Sequence, residues 1–352
     1  MTTNLNSSLA SKASVNAAVL GATGYTGLET IRILLKHSKV KIKILIGQKT
    51  KGKTLGEVCS PFSNAELPKI VSFQQANFKE IDVVFSCMPS GKLASMLDMI
   101  PANLIIIDLS ADFRIKDINL YENYYGKHEN KKFLNKFVYG LSEIYRKEIK
   151  SSKFISCPGC YPTSILLPLI PLINSGIISM KDIIADSKSG ITGAGRNLKQ
   201  DLLFAENTNS FKAYGDGNHR HIPEMEHHIF KSTSKKVNVI FTPHLIPINR
   251  GILSTIYIKG NIKDIEESLK NKYNHEKFVL INKLGSLPKI SDVIGTNNCR
   301  IGFVAHSKDN YVILVSVIDN LIKGAAGQAV QNMNIALNYI EDLGLDQQSF
   351  WP

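Results

Sequence analysis

Residues 156–163 read SCPGCYPT and contain Cys160, the residue in this chain with the clearest capacity for nucleophilic chemistry. An apolar strand that includes Phe154 and Ile155 precedes the segment, and an apolar, helix-like run follows at 165–173. A cysteine at such a strand-to-helix turn faces the backbone N–H groups and the positive end of the helix dipole, which favour its thiolate. Cys160 is therefore a candidate nucleophile, and a cysteine that only packs is the alternative.

Cys157 lies three residues before Cys160, so the two form a C-x-x-C segment. Oxidation that joins the two sulfurs would block Cys160 reversibly, and the alternative is a buried, inert Cys157. The chain has five cysteines, an odd number, and their spacing forms no framework. This usage predicts a reducing compartment, the cytoplasm.

A glycine-rich turn follows the first predicted strand. Residues 15–20 are apolar, residues 21–27 read GATGYTG, and Leu28, Ile31 and Leu34 then recur at helical spacing. In this context glycines let the backbone approach a pyrophosphate at the helix N-terminus. The turn therefore predicts a dinucleotide site, although its spacing is G-x-x-G-x-x-G. A simple turn is the alternative.

The second predicted strand, 40–46, ends in GQKTKGK at 47–53. An NAD site usually has an acidic residue here for the ribose 2′-hydroxyl, and this segment has none. Its lysines, Lys49 among them, would instead neutralise a 2′-phosphate, so the predicted cofactor is NADP. A solvated basic loop is the alternative.

Strands at 81–87 and 104–108, with a helix at 92–99 between them, continue the alternation of strand and helix. This alternation predicts a parallel, doubly wound sheet in a Rossmann-type α/β domain. The loop after the first of these strands contains Pro89 and Ser90, and it lies at the carboxyl end where such sheets bind ligands.

The second half of the chain predicts a different architecture. A strand at 183–187 leads into SGITGAGR at 189–196, a flexible loop whose Arg196 suits a phosphate or carboxylate, with a plain connection as the alternative. Later β-rich runs with few intervening helices predict a mixed or antiparallel sheet, at 237–242, 252–258, 300–304 and 311–317. The last predicted helix, 324–340, has an apolar face that can pack back on the first domain.

Four histidines within ten residues raise the question of a metal site, and these are His219, His221, His227 and His228. The Cys160 region offers no H-E-x-x-H segment or second C-x-x-C partner, and Pro223 interrupts any helix between the two histidine pairs. No metal is therefore predicted. A histidine that meets Cys160 in space as its acid/base partner is the other interpretation.

The composition limits the class of protein. A chain of 352 residues with 43% hydrophobic and 20% charged residues is typical of a soluble globular protein with room for two domains. Its net charge of +12 comes from lysines that are scattered along the sequence and form no basic stripe interleaved with aromatic residues. Nucleic-acid binding is therefore not predicted. No apolar run is long enough to span a membrane, and the small, polar residues 1–14 predict a flexible lead-in.

Seven motifs, in order and spacing, resemble one family, the N-acetyl-gamma-glutamyl-phosphate reductases of arginine biosynthesis, whose wider kin include aspartate-semialdehyde dehydrogenase. They are GATGYTG (21–27), LSADFR (109–114), YGLSE (139–143), CPGCYPT (157–163), SGITGAGR (189–196), HRHIPE (219–224) and NLIKGAAGQAVQNMN (320–334). The resemblance implies an NADP-binding Rossmann domain at 15–157 and an α+β catalytic and subunit-contact domain at 158–319 with a mixed, mostly antiparallel sheet. A C-terminal helix at 320–352 returns to the first domain, and homodimers or homotetramers are implied.

The resemblance also implies the roles of individual residues. Cys160 is the expected nucleophile and His219 the expected acid/base, with His221 close behind. The expected cofactor-binding residues are Gly21, Thr23, Gly24, Tyr25, Thr26, Gly27, Lys49, Pro89, Ser90, Gly193, Asn320 and Gly324. The residues available for the carboxylate and phosphate of the substrate are Arg114, Arg196, Arg220 and His221.

The predicted activity is the NADPH-dependent reduction of N-acetyl-γ-glutamyl phosphate to its semialdehyde and phosphate, through a thioacyl intermediate on Cys160. A substrate one methylene longer, an N-acylated aminoadipyl phosphate of lysine synthesis, stays open because a methylene changes binding by only about 1–3 kcal/mol. A non-catalytic NADP-binding sensor and a histidine-ligated metallohydrolase also stay open. The chain departs from the family pattern with Ser90 for His, Ser142 for Pro, Cys157 for Asn and Ser164 for Gly or Ala.

Overall fold

The computed structural model describes residue 9 and residues 12–181, 183–307 and 310–349. The predicted lead-in, 1–14, falls largely outside the described residues. The chain forms two compact units: one holds the residues up to Pro158 together with Ala325–Asp346, and the other holds Gly159–Gly324 and the residues from 347 onward. Within the described residues, no helix combines the length and the apolar character needed to span a bilayer.

The first unit begins with alternating strands and helices. Its strands are β1 (Val15–Leu20), β2 (Val40–Ile46), β3 (Ile70–Val71), β4 (Val83–Ser86), β5 (Ile105–Asp108), β6 (Val138–Tyr139) and β7 (Phe154–Ser156). The helices among them are α1 (Tyr25–Leu34), α2 (Leu55–Val58), α3 (Lys92–Met96), α4 (Ile118–Tyr125) and α5 (Ser142–Lys150). The first two strands have the predicted bounds, whereas the helix predicted at 92–99 ends at Met96 and continues as a 3₁₀ turn.

These seven strands form one parallel sheet in the order β3-β2-β1-β4-β5-β7-β6. Strands β2 and β3 lie on one side of β1 and strands β4 to β7 on the other, so the carboxyl ends of β1 and β4 form the switch point where such sheets bind ligands. Every residue of β4 and β5 is buried, as expected for a sheet covered on both faces. The predicted parallel, doubly wound sheet is confirmed.

The second unit contains a second sheet with helices. Its elements in chain order are α6 (Cys160–Asn174), β8 (Ile183–Gly190), α7 (Phe204–Asn207), β9 (Lys212–Ala213), α8 (Ile222–Thr233), β10 (Val239–Ile246), β11 (Ile252–Lys259), α9 (Ile262–Tyr273), β12 (Val279–Ile281), β13 (Cys299–Ala305) and β14 (Tyr311–Ile318). The strand order is β12-β13-β14-β11-β8-β10-β9. Among these described strands β8 pairs with β10 and β12 with β13 in parallel, and the other neighbours are antiparallel. The predicted mixed, mostly antiparallel sheet is confirmed.

The sequence predicts few helices among the strands of this sheet, and α9 lies between β11 and β12. It forms there because Asn261 caps its first turn and Ile265, Leu269 and Tyr273 recur on its buried face. Pro223 lies in the first turn of α8, where the missing N–H is not needed by any helical carbonyl, so the helix begins after His219 and His221 and contains only the second histidine pair.

The helix α6 is apolar on all sides, and residues 161–173 are all buried. It packs against α8, α9, β11 and β14, which makes it the central helix of the unit. Pro171 inside the helix leaves the Leu167 carbonyl without its usual donor, and the Tyr273 hydroxyl donates to that carbonyl instead. Cys160 therefore begins a helix that is anchored along its whole length.

The last helix, α10 (Gly327–Ala336), belongs to the first unit, where it packs against α1, α5 and β5. A π-helical turn, Ile322–Ala326, precedes it, so the regular helix is shorter than the predicted 324–340. Its buried Asn332 donates to the Gly140 carbonyl and accepts from the Ser142 hydroxyl, both at 2.8 Å. The hydroxyl at position 142 thus serves in the packing of α10 on α5.

Candidate active site

Cys160 is the first residue of α6, and Gly159 before it is the N-cap, with extended backbone at φ −63° and ψ 156°. Since β7 ends at Ser156, the predicted strand-to-helix turn lies at 157–159. The first-turn N–H groups of an α-helix have no helical acceptor, and they create positive potential at this end. Cys160 is half-buried, so part of it remains accessible to a small molecule.

The loop 219–221 lies in the same unit as Cys160 and leads into α8. The His221 N–H donates to Nδ1 of His219 at 3.1 Å, so the neutral His219 ring has its proton on Nε2. The His221 ring lies against Gly159, since a Cβ added there would come within 2.6 Å of the ring Nε2. The two histidine rings have centroids 4.8 Å apart, so both lie near the nucleophile turn.

Aromatic side chains surround His219. The ring centroids of Tyr161, Tyr214 and Phe241 lie 5.8, 5.6 and 5.4 Å from that of His219. Burial, followed by the positive charge of Arg220, lowers the pKa of His219 to about 4. The ring is therefore neutral at neutral pH and presents Nε2–H as a donor.

Tyr161, Tyr214 and Phe241 form an aromatic wall around His219, and the two tyrosines of this wall share a hydrogen bond. The hydroxyls of Tyr161 and Tyr214 lie 3.0 Å apart, and the Tyr161 hydroxyl also donates to the His244 carbonyl at 3.3 Å. Burial raises the pKa of Tyr214 to about 12 and raises the pKa of Tyr161 further above its usual range. Both hydroxyls therefore stay protonated, and the wall beside Cys160 has no anionic group of its own.

The predicted anion loop, 189–196, is held by Asn320 in the same unit. The Asn320 amide donates to the Thr192 hydroxyl at 3.0 Å, and its side-chain oxygen accepts from the Gly251 N–H at 2.7 Å. Arg196 at the end of the loop is exposed. The asparagine thus fixes the loop that presents this cation.

Two glycines of the second unit allow close approaches. A Cβ at Gly324 would lie 2.8 Å from Cβ of Cys160, so only glycine lets the chain pass this close to the nucleophile. A Cβ at Gly193 would lie 3.0 Å from the Ser189 hydroxyl. Both glycines keep space that a side chain would fill near Cys160 and the anion loop.

The glycine turn of the first unit has the geometry of a phosphate cradle. Gly21 has φ +75°, and a Cβ there would come within 2.6 Å of the Cys87 carbonyl, while a Cβ at Gly27 would come within 2.3 Å of the Gly21 carbonyl. Gly24 is the N-cap of α1, so the first-turn N–H groups of that helix begin at this turn. The same turn includes Thr23, Tyr25 and Thr26.

Exposed lysines follow the strand beside β1. Lys49 lies in a 3₁₀ turn directly after β2, and Lys51 and Lys53 are exposed in the same loop. In dinucleotide-binding folds the loop after the second strand is the one that meets the ribose of the adenosine. The three lysines lie in this loop, and the contact of Lys49 with a 2′-phosphate stays a prediction.

Pro89 and Ser90 are exposed in the loop after β4, at the switch point of the sheet. The Asp112 carboxylate accepts from the Gly91 N–H at 2.6 Å, and the Ser90 hydroxyl accepts from the Ala111 N–H at 3.4 Å. The LSADFR motif therefore fixes the shape of this loop.

Arg114 of the same motif is buried and holds the chain ahead of the nucleophile turn. It donates to the carbonyls of Cys157 and Leu109, both at 2.8 Å, and these contacts favour a structural role over substrate binding. Cys157 is 1% exposed, and burial raises its pKa to about 12, while Asn332 donates to its sulfur at 3.7 Å. The Cys157 thiol is therefore protonated, which favours the inert alternative.

Within the second unit the structure brings together Cys160, His219, His221 and Gly324, and places Arg220 beside His219 on an exposed loop. The predicted residues in the first unit are the glycine turn, Lys49, Pro89, Ser90 and Arg114. The predicted site residues are thus shared between the two units, with the nucleophile and the histidines in the second unit and the glycine turn in the first.

Sequence reasoning missed Glu224 and the aromatic wall. Glu224 is fully buried in the first turn of α8, and its Oε1 accepts from the Gly159 N–H. Its signal in the sequence is its place directly after Pro223, a position in the first helical turn that acidic residues favour. Tyr214 and Phe241 have no such local signal, because only the folded chain brings them to His219.

Two family descriptions match most of the chain. "Semialdehyde dehydrogenase, NAD binding domain" matches residues 16–152, and "Semialdehyde dehydrogenase, dimerisation domain" matches residues 160–320. The two matches meet close to the nucleophile turn.

Among curated proteins, the N-acetyl-gamma-glutamyl-phosphate reductase of Alkaliphilus metalliredigens is 46% identical over 345 residues, covering 96% of this chain and 100% of that protein. The protein of the same name from Ehrlichia chaffeensis is 44% identical over 337 residues, covering 94% of this chain and 97% of that protein. Among solved structures, aspartate semialdehyde dehydrogenase II from Vibrio cholerae matches with a TM-score of 0.71 and 15% identity, covering 93% of this chain and 99% of that chain. The structural match shows a shared fold.

Proposed function

The chain belongs to the N-acetyl-gamma-glutamyl-phosphate reductase family, and from this premise we propose that it reduces N-acetyl-γ-glutamyl phosphate with NADPH in arginine biosynthesis. The products are N-acetylglutamate 5-semialdehyde and phosphate. The observation that carries the proposal is Cys160 at the N-terminus of α6, with His221 against the same turn and a neutral His219 beside it.

Cys160 is the nucleophile of the first step. Its thiolate forms a C–S bond with the carbonyl carbon of the acyl phosphate, the C–O bond to phosphate breaks, and phosphate leaves. The helix N-terminus supports this role because it favours the thiolate. The first-turn N–H groups, that of Cys160 included, are the donors for the oxyanion that develops on the carbonyl oxygen.

His219 moves the proton of the second step. Its Nε2–H shares its proton with the thioester oxygen as hydride addition makes that carbon tetrahedral. The proton returns fully to Nε2 when the C–S bond breaks, Cys160 leaves as the thiolate and the aldehyde is released. The bond from the His221 N–H to Nδ1 supports this role because it sets the required tautomer. The low pKa of His219 agrees with this role, because at neutral pH the ring keeps a single N–H, the one on Nε2.

The first unit fits a dinucleotide, because the glycine turn leaves no space for side chains and exposed lysines follow β2. When bound, NADPH supplies the hydride that reduces the thioester. We assign its pyrophosphate to the turn with Gly21, Thr23, Gly24, Tyr25, Thr26 and Gly27, and its 2′-phosphate to Lys49. Pro89 and Ser90 lie at the switch point of the same unit, whereas Gly193, Asn320 and Gly324 lie in the second unit and stay predictions.

Lys49→Glu is expected to lower the preference for NADPH over NADH by about tenfold or more, because one lost phosphate contact is worth about 1.4 kcal/mol. The measurement is the ratio of kcat/KM for the two cofactors. Lys147→Glu makes the same charge change on an exposed face of α5 and should leave the ratio unchanged. A wild-type ratio in Lys49→Glu contradicts the assignment.

We assign the anionic groups of the substrate to Arg196 and Arg220, with His221 as a further contact. Both arginines are exposed on loops of the unit that contains Cys160, and Arg220 directly follows His219. Guanidinium groups suit carboxylate and phosphate because they donate in a planar fork. Arg114 is already bonded to two backbone carbonyls, so we assign it to holding the chain.

We also propose that the protein is a cytoplasmic homodimer or homotetramer. The second unit matches a dimerisation-domain description, and Leu198, Phe204 and Phe211 in it are 97%, 84% and 61% exposed. Exposed apolar side chains in one segment are typical of association surfaces. A monomer in sedimentation at micromolar concentration contradicts the assembly.

No disulfide joins any of the five cysteines, all of which are described, and this supports a reducing compartment.

The assay that tests the proposed substrate runs the reaction in reverse. Phosphate-dependent NADP⁺ reduction is measured with N-acetylglutamate semialdehyde and with its N-acylated homologue one methylene longer. We expect kcat/KM to favour the shorter aldehyde by about tenfold or more. A preference for the longer one assigns the protein to lysine synthesis, and no phosphate-dependent activity with either aldehyde contradicts the proposed reaction.

A further inference from the structure

The peptide N–H of Gly159, one residue before the nucleophile, is bound by a buried side chain. It donates to Oε1 of Glu224 at 2.8 Å, and Glu224 is 0% exposed. Glu224 lies in the first turn of α8, where the helix dipole stabilises negative charge. Burying an acidic side chain costs more desolvation than burying an apolar one, and the hydrogen bond to the Gly159 N–H offsets part of that cost.

The carbonyl of the same residue is bound as well. The Gly159 oxygen accepts from the Thr163 N–H at 2.9 Å and from the Thr163 hydroxyl at 3.0 Å. The backbone ahead of Cys160 is therefore held from both sides, by α8 through its N–H and by α6 through its carbonyl. Together these bonds leave the N-cap residue little freedom to rotate.

Glu224 also ties the nucleophile turn to the histidine loop. It lies three residues after His221, whose ring fills the space where a Gly159 side chain would be and whose N–H donates to His219. A shift of Gly159 relative to α8 would thus move Cys160 relative to both histidines. The hydrogen bond from the Gly159 N–H to Glu224 therefore fixes the position of the start of α6, where Cys160 lies, relative to the start of α8, which follows the histidine loop.

We propose that Glu224 is a positioning residue, which sets the nucleophile turn against the histidine loop through its bond to the Gly159 N–H. The proposal rests on the proposed role of Cys160 as the nucleophile. What matters on this account is a hydrogen-bond acceptor at Oε1. An amide oxygen at the same place therefore replaces the carboxyl oxygen, whereas an apolar side chain of similar length does not.

The test compares Glu224→Met with Glu224→Gln. Glu224→Met is expected to lower kcat by about 100-fold with little change in KM, because a displacement of order 1 Å at a catalytic group costs about that factor. Glu224→Gln is expected to stay within about fivefold of wild type. Glu226→Gln is the matched control, since Glu226 lies on the same helix but accepts from the Val239 N–H, and it should leave kcat unchanged.

A second readout needs no substrate. The rate at which iodoacetamide alkylates Cys160 is measured against pH, and the midpoint is expected to move upward in Glu224→Met because the helix N-terminus no longer holds the thiolate in place. Glu224→Gln should keep the wild-type midpoint. Because alkylation does not involve the acyl phosphate, this result separates a failed positioning role from a wrong assignment of the reaction.

Equal losses in Glu224→Gln and Glu224→Met overturn the proposal, since the acceptor is then not what matters. Wild-type kcat in Glu224→Met overturns it as well. If Glu224→Met does not fold, Glu224→Ala takes its place, because it also removes the acceptor of the Gly159 N–H and adds no volume. A fall of about 100-fold in kcat at little changed KM supports the proposal, and wild-type kcat contradicts it.

Discussion

Cys160→Ala is expected to lower kcat by about 10⁴-fold or more while NADPH still binds. The oxyanion donors at the start of α6 and the His219 proton remain in this variant, but without the sulfur no thioester forms for the hydride to reduce. The glycine turn belongs to the first unit and is untouched by the change. The two measurements are steady-state NADPH oxidation and NADPH binding by fluorescence.

Cys157→Ala is the matched control. Its sulfur is buried against Asn332, so we expect activity within about threefold of wild type and only a modest loss of stability. Substantial turnover in Cys160→Ala would remove the covalent mechanism. Cofactor binding without turnover in the wild-type protein would support the alternative of an NADP-binding sensor.

His219→Gln is expected to lower kcat by about 10²–10⁴-fold, the usual effect of a lost general acid. The first step does not need this proton, so one equivalent of phosphate should appear in a burst, followed by slow NADPH oxidation. Stopped-flow measurements of phosphate and NADPH distinguish the two steps. His227→Gln, a change on α8 beyond the loop, should keep both rates. Loss of the phosphate burst in His219→Gln contradicts the assigned role.

The same ring determines a pH dependence of stability. The pKa of His219 is lowered to about 4 from the ordinary 6.5, so between pH 6.5 and 4 the unfolded chain binds a proton that the folded chain does not. The folding stability that depends on the neutral His219 ring is therefore fully present above pH 6.5 and is lost as the pH falls toward 4. Urea unfolding should show a steeper loss of stability for wild type than for His219→Gln across this window. Equal slopes contradict the burial argument.

Much of the fold follows from local patterns in the sequence. The bounds of β1 and β2 are those that the apolar runs predict, and α6 begins at Cys160, where a strand gives way to a glycine and a helix-like run. The helix α9 has a local signal too, since Asn261 is a capping residue and Ile265, Leu269 and Tyr273 recur at helical spacing, but the prediction of a β-rich second half did not include it. The π-helical turn before α10 has no sequence signal, because i+5 hydrogen bonding is decided by packing.

The features of the candidate site also differ in whether local sequence or long-range packing determines them. Cys160 and the glycine turn could be singled out because each lies in a short segment whose residue types and spacing point to the chemistry, whereas His219 was chosen among four histidines by the family resemblance. The tautomer of His219, its low pKa and the Glu224 contact could not be predicted, because they depend on distances between segments far apart in sequence. Arg114 shows another limit, since its bonds to two backbone carbonyls could not be foreseen from the motif that contains it, and its predicted contact with substrate stays a prediction.

The proposed mechanism requires an acyl group bound to Cys160, and one experiment detects this group directly. Wild-type protein is mixed with N-acetylglutamate semialdehyde and NADP⁺ without phosphate, quenched in acid and digested for mass spectrometry. We expect one equivalent of NADPH and an N-acetylglutamyl group on the peptide that contains Cys160, and we expect phosphate added before the quench to remove that group. NADPH formed without this adduct, or an adduct on another residue, would contradict it.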